Sequence, residues 1–208
     1  MATFTDVETS VRGSSDMASD TGRTTQALIL ALANEEYDEV IRRLAAFMPD
    51  PYRAVSADLA IAAITSPYID VAALTTAFQF LEVQRLASGK YRTVDPVSGQ
   101  NPEVDPKLSW RQRGFFGTGC KLDIFPAEAS VGTYRVHYCA HPGVLIAGGE
   151  LKLPLGGAKY LAACVSARIR SREEEDPSYM DKVRDDAFAS LRRGLEPVGG
   201  TIGTRGRY

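Results

Sequence analysis

Both histidines of the chain fall in one short run, His137-Tyr138-Cys139-Ala140-His141, with a cysteine between them. Alternate residues of a strand share a face, so His137, Cys139 and His141 would point one way if the strand ran that far. Imidazole and thiolate are good zinc ligands, and Cys120, on a neighbouring predicted strand, would supply a fourth. That would be the chemistry of a small zinc-binding enzyme. Two features oppose it. Pro142 follows at once and ends the strand near Cys139, and no C-x-x-C knuckle is present. Tyr134, Val136 and Tyr138 form the alternate apolar face, which puts His137 and Cys139 on the wetter side. The expectation is two surface histidines and no metal.

A second stretch, Leu153-Pro154-Leu155-Gly156-Gly157-Ala158-Lys159, has the order of a phosphate-binding loop between a strand and a helix. Such a loop needs G-x-x-x-x-G-K-[ST], because its glycines aim backbone N–H groups at the phosphates and its hydroxyl binds magnesium. Here the first glycine is at the wrong spacing and Tyr160 follows the lysine. The glycines read as a joint into a helix. A third group, Glu173-Glu174-Glu175-Asp176, clusters carboxylates. Adjacent helical residues diverge, so this run suits a solvated helix end next to the following helix's N-terminus. No G-x-S-x-G occurs, and no cysteine sits in a catalytic signature. The expectation is no catalytic residue, no cofactor and no enzyme.

The composition agrees with a soluble globular protein. The chain has 208 residues with 44% hydrophobic and 24% charged side chains, enough for one domain or two small ones. A net charge of -2 provides no chain-wide basic field, which argues against tight sequence-independent DNA binding. Three cysteines are an odd number and fit a reducing compartment better than a disulfide framework. The N-terminus has no signal-peptide pattern, and no run approaches the length of a membrane span.

Residues 1–23 read as a polar arm and linker, in which Val7 and Val11 could share a helix face. A helix follows over about Thr24 to Phe47, with Leu30, Ala33, Tyr37, Val40, Ile41, Leu44 and Met48 as its apolar stripe. Glu39 and Arg43 are spaced for an ion pair, and Pro49 and Pro51 end the helix. From Tyr52 onward the texture turns β-like. FQFLEVQRL alternates, Ser88-Gly89 turns it into KYRTV, and LSWRQR, CKLDIF and TYRVHY follow as short strands. The segment ADLAIAAITSPYIDVAALTTAF is ambiguous and is allowed a short helix, and residues 95–106 read as a protruding loop with three prolines. Two helices close the chain, about Gly157 to Glu174 and about Pro177 to Arg193. Tyr160, Leu161, Cys164, Val165 and Ile169 line the first, and Met180, Val183, Ala187, Phe188 and Leu191 the second. Asp176 is the predicted N-cap and Gly194 the C-cap of the last helix. The tail is rich in glycine and mildly basic, too poor in apolar residues to pack a core.

The expected fold is α+β: a helical bundle formed by the N- and C-terminal helices, with an inserted small antiparallel β-sheet region and flexible terminal arms. Its parts are an arm over 1–23, a bundle over 24–51 and 157–194, a β-rich insertion over 52–156 and a C-terminal arm over 195–208.

This layout resembles the head-to-tail adaptor (connector) proteins of tailed bacteriophages. The resemblance lies in Val11-Arg12, Asp16-Met17 and a long helix with Asn34, Tyr37, Glu39 and Leu44 in order. It continues in the hairpin GCKLDIFPAEASVGTYRVHY, and in Leu155, Gly156, Tyr160 to Ile169 and Arg172 to Asp176 before the last helix. It covers most of the chain as texture, with no single specific motif. It implies a structural virion protein at the portal vertex, assembled in the host cytoplasm. Copies would close into a ring, a dodecamer, beneath the portal, and DNA would pass through the lumen without specific binding. Partners would be the portal protein and a tail, nozzle or stopper protein. The arm residues Thr204, Arg205, Gly206, Arg207 and Tyr208 would dock on the portal, and the 95–106 loop would face the tail side or neighbouring subunits. A tail-completion or stopper protein of the same neck is the alternative.

Overall fold

The computed structural model describes residues 2–13, 24–97, 107–114, 116, 119–171 and 177–195. The chain divides into two compact units, Met1–Ile41 with Val144–Tyr208, and Arg42–Gly143.

The first unit is helical. Helix α1 (Phe4–Gly13) buries Phe4, Val7 and Val11, spaced three and four apart on one face. Its start is capped by Asp6, whose carboxylate accepts the Thr3 backbone N–H at 2.7 Å. This is the reach-back half of a capping box. Helix α2 (Gln26–Phe47) begins where the Thr25 hydroxyl accepts the Leu28 N–H, and within this unit it buries Ile29, Leu32, Ala33, Tyr37, Val40 and Ile41. Leu30 sits off the buried stripe and is only half-buried. Helix α3 (Gly157–Ser171) buries Tyr160, Leu161, Cys164, Val165 and Ile169. Helix α4 (Pro177–Leu195) is more exposed; it buries Leu191 and rests Phe188 on Tyr160 with ring centroids 5.5 Å apart. Gly194 lies inside α4, which runs on to Leu195, so it is not the residue that ends the helix.

The second unit is a sheet. Its strands are β1 (Arg53–Val55), β2 (Leu59–Ile61), β3 (Tyr68–Asp70), β4 (Ala77–Ala87), β5 (Lys90–Pro96), β6 (Ser109–Arg113), β7 (Lys121–Phe125) and β8 (Gly132–Ala140). The order is β1-β8-β4-β5-β6-β7-β3, with β2 also paired to β8. All pairs are antiparallel except β5 with β6. The β4–β5 hairpin turns at Ser88 and Gly89, both with positive φ (52° and 76°), the pair of left-handed residues a tight hairpin needs. The core is Ile69, Val83, Val94, Leu122, Ile124, Tyr134 and Val136 with their neighbours. Each fully buried aliphatic side chain contributes about 1.5–3 kcal/mol over leaving it in water.

The expected helical bundle carrying a small inserted antiparallel sheet is not the fold. Among the described residues, four α-helices accompany an eight-stranded, mixed and curled sheet. Three causes account for the difference. β1, β2 and β3 are three residues each, too short to show a period, and two of them lie in the segment allowed a short helix. β5 and β6 run parallel, which needs a connection of roughly a dozen residues, and Asp95 and Pro96, read as the start of a protruding loop, instead end β5 and pair with β6. β4 is not cleanly alternating: the pairing with β8 slips between Ala77 and Gln79 and again between Phe80 and Glu82. Such bulges add local twist and curl the sheet. The terminal-arm part of the expectation fails over Phe4–Gly13, a helix with three fully buried side chains. Among the described residues no helix is long and apolar enough to cross a membrane.

Candidate functional site

The histidine run does not assemble a metal centre. Cys139 is fully buried, not on the wetter side, and its Sγ lies 4.0 Å from the Pro49 carbonyl. Burial pushes its thiol above the ordinary range, which disfavours the thiolate that binds metal or attacks carbon. Cys120 is also buried with its thiol pushed up, and its Sγ approaches the Gly114 carbonyl at 4.0 Å. His141 spends Nδ1 on the Gly143 N–H at 3.2 Å. Among the described residues no three His, Cys, Asp or Glu side chains converge on a point that could hold a metal ion.

His137 instead joins a polar network on the outer face of the sheet. The ladders place it beside Glu82 on one side and Val55 on the other. Glu82 is the hub. It accepts from Arg53 Nη2 at 3.0 Å, from Gln84 Nε2 at 3.0 Å and from the Thr93 hydroxyl at 2.5 Å. Arg53 Nε also donates to His137 Nδ1 at 3.4 Å. Those hydrogen bonds, Thr93's first, hold the Glu82 carboxyl below its usual range. Burial, reinforced by Arg53, lowers His137 despite the pull of Glu82. Nearby, Asp58 accepts from the Tyr91 hydroxyl at 2.7 Å and Arg135 Nε at 2.6 Å, and Arg135 stacks 4.2 Å over the Tyr91 ring. Its carboxyl is held low by Tyr91 first and Arg135 second. Carboxylates saturated in this way are poor proton acceptors.

The glycines lie where the chain enters α3, but residues 151–154 before them form no strand, so the joint leads from a non-strand segment into a helix. Gly156 takes φ +87°, and a Cβ on Gly157 would lie 2.7 Å from the Leu153 Cβ. The Gly157 N–H is spent on the Pro154 carbonyl at 2.8 Å, and Lys159 is exposed on α3. The acidic run Glu173–Asp176, the Asp176 cap, Asp16-Met17, the tail residues Thr204–Tyr208 and most of the 95–106 loop lie outside the described residues.

The unusual surface of the helical unit is the strap that leads into α3. Its backbone is pinned. Asn34 accepts the Leu145 N–H at 2.7 Å and donates to the Leu145 carbonyl at 3.2 Å. The Lys152 N–H donates to the Tyr37 hydroxyl at 3.1 Å. Phe4 N–H donates to Gly149 and Leu151 N–H to Ala2, both at 2.9 Å. Yet this fixed strap shows Val144, Ile146 and Leu155 to solvent at 79%, 68% and 95% exposure. Leu155 lines a groove of about 330 Å³ between α3 and α4, together with Gly156, Tyr160, Ala187 and Leu191. On α2, Glu36 is buried and takes Arg184 at 2.6 Å and Arg168 at 3.7 Å. Desolvation raises its carboxyl and outweighs the two guanidiniums.

Sequence reasoning missed Glu36, Arg168 and Arg184, and missed that Asn34 and Tyr37 are clamps. The signal was present: Leu32, Glu36 and Val40 recur at four-residue steps, so an acid stands in the buried stripe of α2. No protein-family model matches the chain, and no curated protein matches it.

Proposed function

We propose that the chain is a structural assembly protein, a head-to-tail adaptor of a tailed bacteriophage that forms a ring beneath the portal and joins the capsid to the tail. The observation that carries this reading is the strap: three large apolar side chains held in place and presented to water. Exposed apolar groups on a pinned backbone mark a protein–protein surface, because ordering them costs no further chain entropy when a partner arrives. The groove beside Leu155 offers the partner a cavity for an apolar anchor. Side-by-side heterologous contacts close a ring when their rotation closes. The protein works by assembly and not by catalysis, and its place is the neck of the virion. Portal docking belongs to the tail, with Arg205, Arg207 and Tyr208 as its charged and aromatic groups.

The test is co-sedimentation with the portal ring of the same phage, with masses measured before and after mixing. The full chain is expected to attach and gain mass as a multimer. Deletion of residues 197–208 abolishes attachment, and Leu155→Asp weakens it by at least about tenfold. A full chain that stays unattached overturns the adaptor reading. Attachment only to a tail-side protein makes it a stopper instead.

A further inference from the structure

We propose that the groove between α3 and α4 is a seat for the chain's own tail, which places Val198 and Ile202 in it. Along α4 the groove is lined by Ala187, Ser190, Leu191 and Gly194. Leu195 is the last residue of that helix. The chain therefore leaves α4 at the rim of the groove. Pro197, two residues further on, makes continuing the helix costly. Leu155, at 95% exposure, lines the same groove and lacks a cover. An apolar cavity of about 150 Å³ takes one benzene-sized group. A groove of about 330 Å³ has room for two aliphatic side chains.

The tail supplies two. Val198 and Ile202 are the only branched aliphatic residues after Leu195. An extended chain covers at most ~3.3–3.6 Å per residue, so from Gly194 they reach about 14 Å and about 29 Å. The stretch of α4 from Gly194 back to Ala187 is about 10 Å long at 1.5 Å per residue. Both side chains can therefore reach along the groove, and Gly199 and Gly200 between them ease the reversal. The charges agree. Lys159 is the only charged residue lining the groove, and Glu196 is the only charged residue of 196–202. Arg205, Arg207 and Tyr208 lie beyond the seated segment and stay available for another contact.

Tethering selects this occupant over a free partner. A segment joined to the rim by a few residues meets the groove at an effective concentration on the order of millimolar. A free protein must supply its anchor from solution. The seat is also shallow, because each tail residue it orders loses backbone freedom. A contact of that kind is exchangeable. It covers Leu155 in the unassembled chain and yields the groove to a stronger anchor. That the anchor comes from a virion partner rests on the adaptor reading; the contact between tail and groove does not.

The test is disulfide trapping in the full chain. Cys120, Cys139 and Cys164 are buried, so an introduced exposed pair oxidises first. Ser190→Cys with Ile202→Cys places one thiol in the groove and one on the tail. Ala189→Cys with Ile202→Cys is the control, since Ala189 is exposed, does not line the groove and has nearly the same tether length. The groove pair should close within one chain at least about tenfold faster than the control pair. Equal rates overturn the inference. So does a disulfide that joins two chains, which would give the groove to a neighbouring copy's tail. Amide hydrogen exchange without added cysteines is the second reading. Ile202→Asp should speed exchange across 190–195 by about twofold or more, because the last turn of α4 loses its cover. Unchanged exchange overturns the inference as well. Portal attachment without the trapped disulfide would sink this inference alone, and the disulfide without attachment would sink the adaptor reading alone.

Discussion

The helical unit and the β unit are held together by different means. The β unit is continuous in sequence, and a close-packed core of Val83, Leu122, Ile124, Tyr134 and Val136 lies under a hydrogen-bonded ladder. The helical unit is stitched from both parts of the chain that flank it. Beside its own buried apolar side chains, among them Phe4, Val7, Ile29, Leu32, Leu161 and Val165, it carries polar stitches: Asn34 to Leu145, Tyr37 to Lys152, and Glu36 to Arg184, each bridging more than a hundred residues. The difference teaches where each unit is vulnerable. A core spreads its stability over many small contributions, and a deletion inside it leaves a cavity. A polar stitch concentrates its contribution in one buried pair, and removing one partner leaves the other unsatisfied.

The largest expected effect tests the core. Leu122→Ala, at a fully buried position between β3 and β6, should cost about 3 kcal/mol. Urea unfolding followed by Trp110, the chain's single tryptophan and a residue packed on this core, measures it directly. A loss under about 1 kcal/mol would mean the site collapses around the gap, and the contrast between the units would weaken.

The next effect tests a stitch. Asn34→Ala strands both the N–H and the carbonyl of Leu145 and should cost about 1–2 kcal/mol. Asn34→Asp keeps the acceptor for the Leu145 N–H but loses the donor, so it should remove only the carbonyl's partner. Amide hydrogen exchange across 144–152 reports it, with faster exchange in the alanine variant than in the aspartate one. Equal exchange in both would show that the strap is held without Asn34.

How much of this was legible follows from length and period. α2, α3 and α4 show because Tyr37, Val40, Ile41 and Leu44, or Tyr160, Leu161, Cys164 and Val165, repeat over several turns. The Ser88-Gly89 hairpin shows because its turn chemistry is local. β1, β2 and β3 did not, since three residues carry no period and their place is set by partners on β7 and β8 far along the chain. The sheet was therefore underestimated. The outer-face networks were not legible either. Glu82 and His137 are 55 residues apart in sequence, and only the β4–β8 register, shifted by its bulges, makes them neighbours. Asn34 and Tyr37 could be noticed within α2, but the backbone groups they bind lie more than a hundred residues away.

The smallest expected effect sharpens the comparison through pH. His137 titrates below its ordinary 6.5 in the folded β unit, because burial and Arg53 disfavour the imidazolium. Between 6.5 and that lower folded value the unfolded chain binds a proton that the folded chain refuses. Stability is then present above 6.5 and is lost as pH falls through the window. Glu36 in the helical unit has the opposite sign. Its folded carboxyl titrates above the ordinary 4.5 because desolvation dominates, so the folded chain holds its proton longer and acidification favours that unit. Acidifying from about pH 8 to about pH 5 should loosen the β unit while the helical unit holds. The Trp110 urea midpoint should fall, and His137→Gln should remove the fall. Glu82 and Asp58 cannot mimic it, since their depressed carboxyls act below 4.5 and 3.8, beneath the window that His137 controls. A midpoint that falls equally in the glutamine variant would assign the pH response to another group and remove this contrast between the two units.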